Sequence, residues 1–270
     1  VIFDDELSPA QIKNYHKLAK RIKVIDRSAL ISDIFKKRAK TREAKTQVEL
    51  ALCQYLLPRL TRQWTHLERQ MGGVGTRAGM GETQIEIDRR LIREKISKLK
   101  IDLKKIESER KTQSQNRGKE YRVALVGYTN AGKSTLFNSL TGNDVYVENQ
   151  LFATLDTTVR KLKLNKKHQV LLSDTVGFIR KLPHNLVASF RSTLKELLEA
   201  DHILIVLDAS SNIIEEHLET INLVLNELGA TEIPKSYIFN KIDLIKKDVY
   251  LRKLKARFND AIFISALHHL

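Results

Sequence analysis

The chain has almost no sulfur chemistry: among its 270 residues stands a single cysteine, Cys53. A lone cysteine excludes an internal disulfide and suits a reducing compartment, so a cytoplasmic location is expected. No apolar run approaches the ~18 residues that a membrane-spanning helix needs, and stable membrane insertion is not expected. The histidines (His16, His66, His168, His184, His202, His217, His268 and His269) show no metal-ligand spacing. There is no initiator methionine, and the chain opens inside the apolar run Val1-Ile2-Phe3 without a signal-peptide pattern. It is therefore expected to be part of a longer protein.

Acidic residues are also scarce. Asp and Glu number 32 against 47 Lys and Arg, a formal charge of +15. The imbalance is local: residues 1–119 hold 28 basic against 15 acidic residues, and residues 120–270 hold 19 against 17. A positive field confined to the first half favours a polyanion through counterion release, RNA above all. Acidic membrane is disfavoured, because no stretch pairs a strong apolar face with clustered Lys and Arg.

The most informative stretch is Tyr121–Thr135, YRVALVGYTNAGKST. Arg122–Val126 reads as a buried strand, and Gly127-Tyr128-Thr129-Asn130-Ala131-Gly132-Lys133-Ser134 matches G-x-x-x-x-G-K-[ST] in full. Glycines let the backbone wrap a phosphate so that successive N–H groups point at the anion, and a helix starting near Lys133 adds its positive end. Lys133 is expected to reach the β- and γ-phosphates and Ser134 to ligate Mg²⁺, with Thr135 next in the helix. Leu136, Phe137 and Leu140 give that helix an apolar face.

Before this loop, Val1–Phe3 reads as a strand. Ser8-Pro9-Ala10-Gln11 reads as a helix start, with Ser8 as N-cap and Gln11 closing a capping box. A further strand is expected around Ile22–Ile25 and a helix over Ala29–Ala39. From Thr46 to Gln70 the pattern is helical, interrupted at Pro58 before Leu60, Trp64 and Leu67. Five glycines crowd Met71–Gly81, and Thr83–Arg110 is a long charged helix with Ile92, Ile96, Leu99, Leu103 and Ile106 at heptad spacing. The two helices predict an antiparallel hairpin with this seam closing it. The glycine segment reads either as an unordered connector or as a tip that orders on RNA with Arg77 reaching a phosphate or base. Lys111–Lys119 is polar and aperiodic, a linker.

After the phosphate loop, Val170–Leu172, Ile203–Leu207, Tyr237–Phe239 and Ile262–Ile264 read as short buried strands. Leu186–Leu198 and Ile213–Leu228 read as helices between them, a doubly wound α/β sheet with ligands at the carboxyl strand ends. Asp174-Thr175-Val176-Gly177 fits D-x-x-G, which sets a carboxylate near Mg²⁺ and a glycine amide near the γ-phosphate. Asn240-Lys241-Ile242-Asp243 fits N-K-x-D. Its Asp243 carboxylate can accept from the ring N–H and amino group of guanine, whereas adenine offers no such donor pair. Lys241 can lie along the base, Asn240 can tie loops together, and Ser265-Ala266-Leu267 can supply N–H groups to the guanine oxygen.

This order of motifs resembles small translation-factor-class GTPases. Gln70–Arg77, Gly81-Glu82-Thr83-Gln84, Asp88-Arg89-Arg90 and Leu151–Asp156 narrow the resemblance to the HflX family of ribosome-associated GTPases, over essentially the whole chain. The resemblance implies an N-terminal domain at 1–118 (partial α/β subdomain 1–40, helical hairpin 41–110, linker 111–118). It implies a Ras-like P-loop GTPase domain at 119–270. Phe152, Ala153, Thr154, Leu155 and Asp156 would form switch I, with Thr154 as the second Mg²⁺-ligating hydroxyl beside Ser134 and Asp174 acting through water. Thr157 and Thr158 are rival hydroxyls, and Thr157 stands where the family usually has proline. Lys133, Thr154 and Gly177 would carry catalysis. The hairpin would bind the large ribosomal subunit and its rRNA through Gly72, Gly73, Gly75, Arg77, Gly79, Gly81, Arg89 and Arg90. GTP and GDP would be its nucleotides, Mg²⁺ its cofactor, and a monomer its working form. The family role implied is dissociation of stalled or idle ribosomes into subunits, notably under heat stress.

One position stands apart. Many GTPases place Gln directly after D-x-x-G, but Phe178 and Ile179 occupy this stretch, and neither can orient water. Slow hydrolysis alone and acceleration by a partner are therefore expected, with Thr157 and Arg180 as candidate substitutes. Rival readings are a ribosome-assembly or RNA-modification accessory GTPase, an ATP-driven RNA remodeller and a scaffold with a vestigial nucleotide site. Residues 1–119 contain no second phosphate loop, and Lys133, Ser134, Asp174 and Asp243 are all present, against the last two.

Overall fold

The computed structural model describes residues 1–18, 22–60, 84–115, 120–142, 157–165, 168–180, 195–246 and 248–270. Its contacts divide the chain into two compact units, one built on Val1–Lys37 and Lys45–Lys111, the other on Arg38–Ala44, Thr112–Leu182 and Phe190–Leu270. Among the described residues no helix is long and apolar enough to cross a membrane.

In the first unit, strands β1 (Ile2–Phe3) and β2 (Ile25–Asp26) pair in parallel around helix α1 (Pro9–Leu18). The capping box forms as expected: Ser8 N donates to Gln11 Oε1 (2.8 Å) and Gln11 N to Ser8 Oγ (3.3 Å). Helix α2 covers Arg27–Arg38 and α3 covers Arg42–Leu56. The second of these starts four residues before the apolar pattern does, because Thr41 Oγ1 accepts from Ala44 N and caps it. At Pro58 the helix gives way to a 3₁₀ turn, Leu57–Arg59. The long helix α4 spans Gln84–Gln115, running on through Lys111–Gln115, which composition alone assigns to the linker. Nothing there breaks a helix, since the first glycine comes at Gly118. Ile92 and Leu99 pack with Leu50, Cys53 and Leu60, flanked by Ile96 and Leu103, so the heptad seam closes α3 on α4. Burial raises the Cys53 thiol above its usual range, so it packs as an apolar group.

The second unit is a six-stranded sheet, ordered β4-β5-β3-β6-β7-β8. Its strands are β3 (Tyr121–Gly127), β4 (Thr158–Lys163), β5 (Gln169–Asp174), β6 (His202–Asp208), β7 (Lys235–Asn240) and β8 (Ile262–Phe263). All pair in parallel except β4, an antiparallel edge strand against β5. Strand β4 has no counterpart among the strands expected from sequence, because Arg160, Lys161 and Lys163 break any apolar run. Helices α5 (Lys133–Thr141), α6 (Lys195–Leu198), α7 (Ile214–Leu228) and α8 (Asp248–Arg257) complete the unit. The core joins Leu125, Leu136, Phe137, Leu172, Val206 and Ile238 to Ala131 and Ala266, which belong to loops at the carboxyl strand ends. Leu140 stays exposed and contributes nothing to it. Because β5 and β6 flank β3 on opposite sides, the connections diverge there, the place where open α/β sheets bind ligands.

Candidate functional site

The loop from Gly127 to Ser134 leaves β3 at this switch point. Asn130 (φ 63°) and Gly132 (φ 90°) turn the chain in the left-handed region, and α5 begins at Lys133. Only glycine fits at 132, because a Cβ there would stand 2.2 Å from Asn240 Nδ2. Lys133 is 6% exposed, and its Nζ donates to the carbonyl oxygens of Gly127 (3.2 Å) and Tyr128 (3.1 Å). Burial lowers its pKa to about 8, although the Asp174 carboxylate acts in the opposite direction. Ser134 Oγ donates to Asp174 Oδ2 at 2.6 Å, joining the start of α5 to the end of β5. Thr129 Oγ1 is buried with no hydrogen-bond partner among the described residues.

The D-x-x-G segment closes over the loop. Thr175 Oγ1 donates to Leu125 O (2.7 Å) and Val176 is buried. A Cβ on Gly177 would lie 3.0 Å from Lys133 Nζ and 2.9 Å from Thr129 Cα, so the bare glycine lets this backbone approach. Phe178 then bridges to Tyr128, with Thr129 N donating to Phe178 O (2.8 Å) and Phe178 N to Gly127 O (3.0 Å). Its ring is 1% exposed. Position 178 is thus buried in the core, which the sequence could not tell. Arg180, a candidate substitute, has its guanidinium on Glu216 at 2.8 Å. Thr158 stands opposite Asp174 in the β4–β5 register, with Thr157 just before it.

At the ends of β7 and β8 a second group converges. Asn240 Nδ2 donates to Ala131 O (3.0 Å), while its Oδ1 accepts from Lys241 N (2.8 Å) and Ala266 N (2.9 Å). One amide thereby ties all three loops, as the sequence suggests. Ser265 Oγ donates to Asp243 Oδ1 at 2.5 Å. Ser265 N donates to Leu270 O, and Ala266 N is spent on Asn240. Of the three amides expected to meet a base oxygen, only Leu267 keeps its own outside these bonds.

Sequence reasoning misses several participants. Tyr128 stacks on His217 of α7 (centroids 3.9 Å apart, 18° between planes), and its Oη accepts from Arg180 N. Burial lowers the His217 pKa below its usual value. Asp208 Oδ2 holds Lys241 Nζ at 2.7 Å. None of these pairs has a signature in spacing. Arg89 and Arg90 are exposed on α4. Phe152, Ala153, Thr154, Leu155 and Asp156, and likewise Gly72, Gly73, Gly75, Arg77, Gly79 and Gly81, lie outside the described residues.

Three family models match the chain: "GTP-binding GTPase N-terminal" at residues 1–36, "GTP-binding GTPase Middle Region" at 38–117 and "50S ribosome-binding GTPase" at 122–241. The chain is 56% identical over 246 residues to the GTPase HflX of Flavobacterium psychrophilum, covering 91% of this chain and 59% of that protein. To the GTPase HflX of Escherichia coli it is 51% identical over 248 residues, covering 91% and 58%. It spans about three fifths of the length of these curated relatives. Among solved structures, that of SsGBP in complex with GDP superposes with a TM-score of 0.57 at 30% identity, covering 99% of this chain and 76% of that one.

Proposed function

The chain belongs to the HflX family of GTPases, and on that premise we propose that it binds GTP and GDP, hydrolyses GTP, and works on the large ribosomal subunit. The observation that carries the reading is Asn240, whose one amide holds the phosphate loop, the base-reading loop and the Ser265–Ala266 loop together. In this reading Gly127–Thr135 cradles the phosphates, with Lys133 as the cation on the β- and γ-oxygens. The Gly177 amide meets the γ-phosphate, and Asp243 accepts from the guanine edge beside Asn240 and Lys241.

The oxygen donors at the loop mouth fit a magnesium ion. Ser134 Oγ and Asp174 Oδ2 are hard ligands 2.6 Å apart, the first for direct contact and the second through water. Thr154 is proposed as the further hydroxyl, on sequence grounds. When bound, Mg²⁺ neutralises charge on the β- and γ-phosphates.

Lys133 gives the reading a pH signature. Below pH 8 the folded and unfolded chains both carry its proton, so folding bears the full burial penalty there. Between about pH 8 and the unfolded value near 10.5 the unfolded chain binds more proton, and the empty protein gains stability as pH rises. A bound phosphate holds the ammonium charged, so nucleotide binding takes up a proton over the same window. GDP affinity is expected to fall about fivefold from about pH 7.5 to about pH 8.8. Calorimetric titration at both values checks this, and an unchanged affinity would contradict it.

Hydrolysis alone is proposed to be slow, because the residue after Gly177 turns into the core. Restoring glutamine there should not help. Phe178→Gln would lose aromatic burial and strand an amide, costing about 3–5 kcal/mol of stability. The single-turnover rate is expected to stay unchanged while the denaturant midpoint falls. A faster rate would refute this account of the site.

The basic first unit, with Arg89 and Arg90 exposed on α4, is proposed as the ribosomal contact in the cytoplasm, together with the glycine segment Gly72–Gly81. Its outcome is proposed to be separation of stalled or idle ribosomes into subunits. Gradient profiles of joined ribosomes incubated with protein and GTP test this: free subunits should accumulate with GTP and not with GDP. An assembly or modification accessory would leave joined ribosomes intact.

A further inference from the structure

The base-reading lysine does not stand alone. Lys241 follows Asn240 with its backbone in the left-handed region (φ 64°), a conformation that a non-glycine residue seldom adopts. Two bonds fix it there: Lys241 N donates to Asn240 Oδ1, and Lys241 Nζ meets Asp208 Oδ2 at 2.7 Å. Along the way its Cε comes within 4.0 Å of the point where a Cβ on Gly132 would lie. The four-carbon stem is thus drawn past the phosphate loop toward the end of β6. Asp208 ends that strand and stands beside Asn240 in the β6–β7 register. Its other oxygen is committed too, since Oδ1 accepts from Ser210 N (2.9 Å) and Ser210 Oγ (2.6 Å). The ion pair is about four-fifths buried on each side, sheltered from the screening that weakens surface pairs.

We propose that Asp208, held by Ser210, is a positioning residue for nucleotide binding: it anchors the Lys241 ammonium so that the methylene stem stands ready as a wall of the base pocket. A lysine stem has large rotamer freedom, which a base must otherwise freeze as it binds. Asp208 does that ordering before the base arrives. Asp208 meets no base edge in this arrangement, so it acts on affinity and leaves the choice between guanine and adenine to Asp243. The inference rests on the guanine-nucleotide reading above and extends it to a residue outside the four motifs.

The test follows release of a fluorescent GDP analogue by stopped flow from wild-type protein, Asp208→Ala, Lys241→Met and the double variant. Asp208→Ala and Lys241→Met are each expected to speed release about tenfold, and the double variant to be no more than about twofold faster than Lys241→Met. The preference for GDP over ADP should survive in Asp208→Ala. A carboxylate that merely supported the fold would still speed release in the Lys241→Met background, and that multiplicative result overturns the proposal. Release from Asp208→Ala within about twofold of wild type overturns it as well. Should Asp208→Ala fail to fold, Asp208→Asn and Ser210→Ala replace it under the same criteria. Wild-type protein that binds no GDP at all would instead sink the reading of the whole site.

Discussion

Asp243→Asn is expected to lose GTP and GDP binding by about 10²–10⁴-fold, the effect of two hydrogen bonds to a charged acceptor at about 1.5–3 kcal/mol each. The mechanism predicts a gain as well as a loss. An asparagine amide presents one donor and one acceptor, which suits xanthine, with a carbonyl where guanine has its amino group. Xanthosine diphosphate should therefore bind the variant better than GDP does, reversing the wild-type order. Ser265 Oγ still finds an acceptor in the amide oxygen of the substituted side chain, so the fold should keep its thermal midpoint. Competition titrations with GDP, XDP and ADP on both proteins read this out. Unchanged GDP affinity would mean that the carboxylate does not read the base.

The second large effect is expected at Lys133. Lys133→Met keeps the buried stem and removes the charge, so GTP hydrolysis should fall about 10²–10³-fold or more, as when one preorganised donor is removed from a developing negative charge. Stability of the empty protein should move the other way or stay level, because a buried ammonium with a lowered pKa is itself a cost of folding. Thermal melts without nucleotide separate the two effects. A variant that both melts early and hydrolyses slowly would point to a structural lysine.

Much of the fold is legible because its signals are local. The Ser8–Gln11 capping box, the break at Pro58, the heptad seam from Ile92 to Leu103 and the strands around Leu125, Leu172, Ile205 and Phe239 rest on neighbours within a turn or two. What escapes depends on tertiary context. Strand β4 pairs only along one edge and carries Arg160, Lys161 and Lys163 there, so it shows no apolar run. The last turns of α4 are polar, and helix persists because nothing breaks it. In the site, the motifs name the residues but not their partners. Phe178 reads as a missing glutamine, and only the backbone bridge to Tyr128 shows that its ring belongs to the core. Asp208 meets Lys241 through strand order and His217 meets Tyr128 from helix α7, neither of which residue spacing encodes.

On the proposed reading this chain supplies the phosphate and base contacts, while Phe178 stands where many GTPases carry a water-positioning glutamine, so its hydrolysis should depend on a partner. The most direct measurement is single-turnover GTP hydrolysis by the purified chain with and without large ribosomal subunits. Slow hydrolysis alone, rising by at least about tenfold with the large subunit and not with the small one, is the expected result. Equal rates under all three conditions would contradict it.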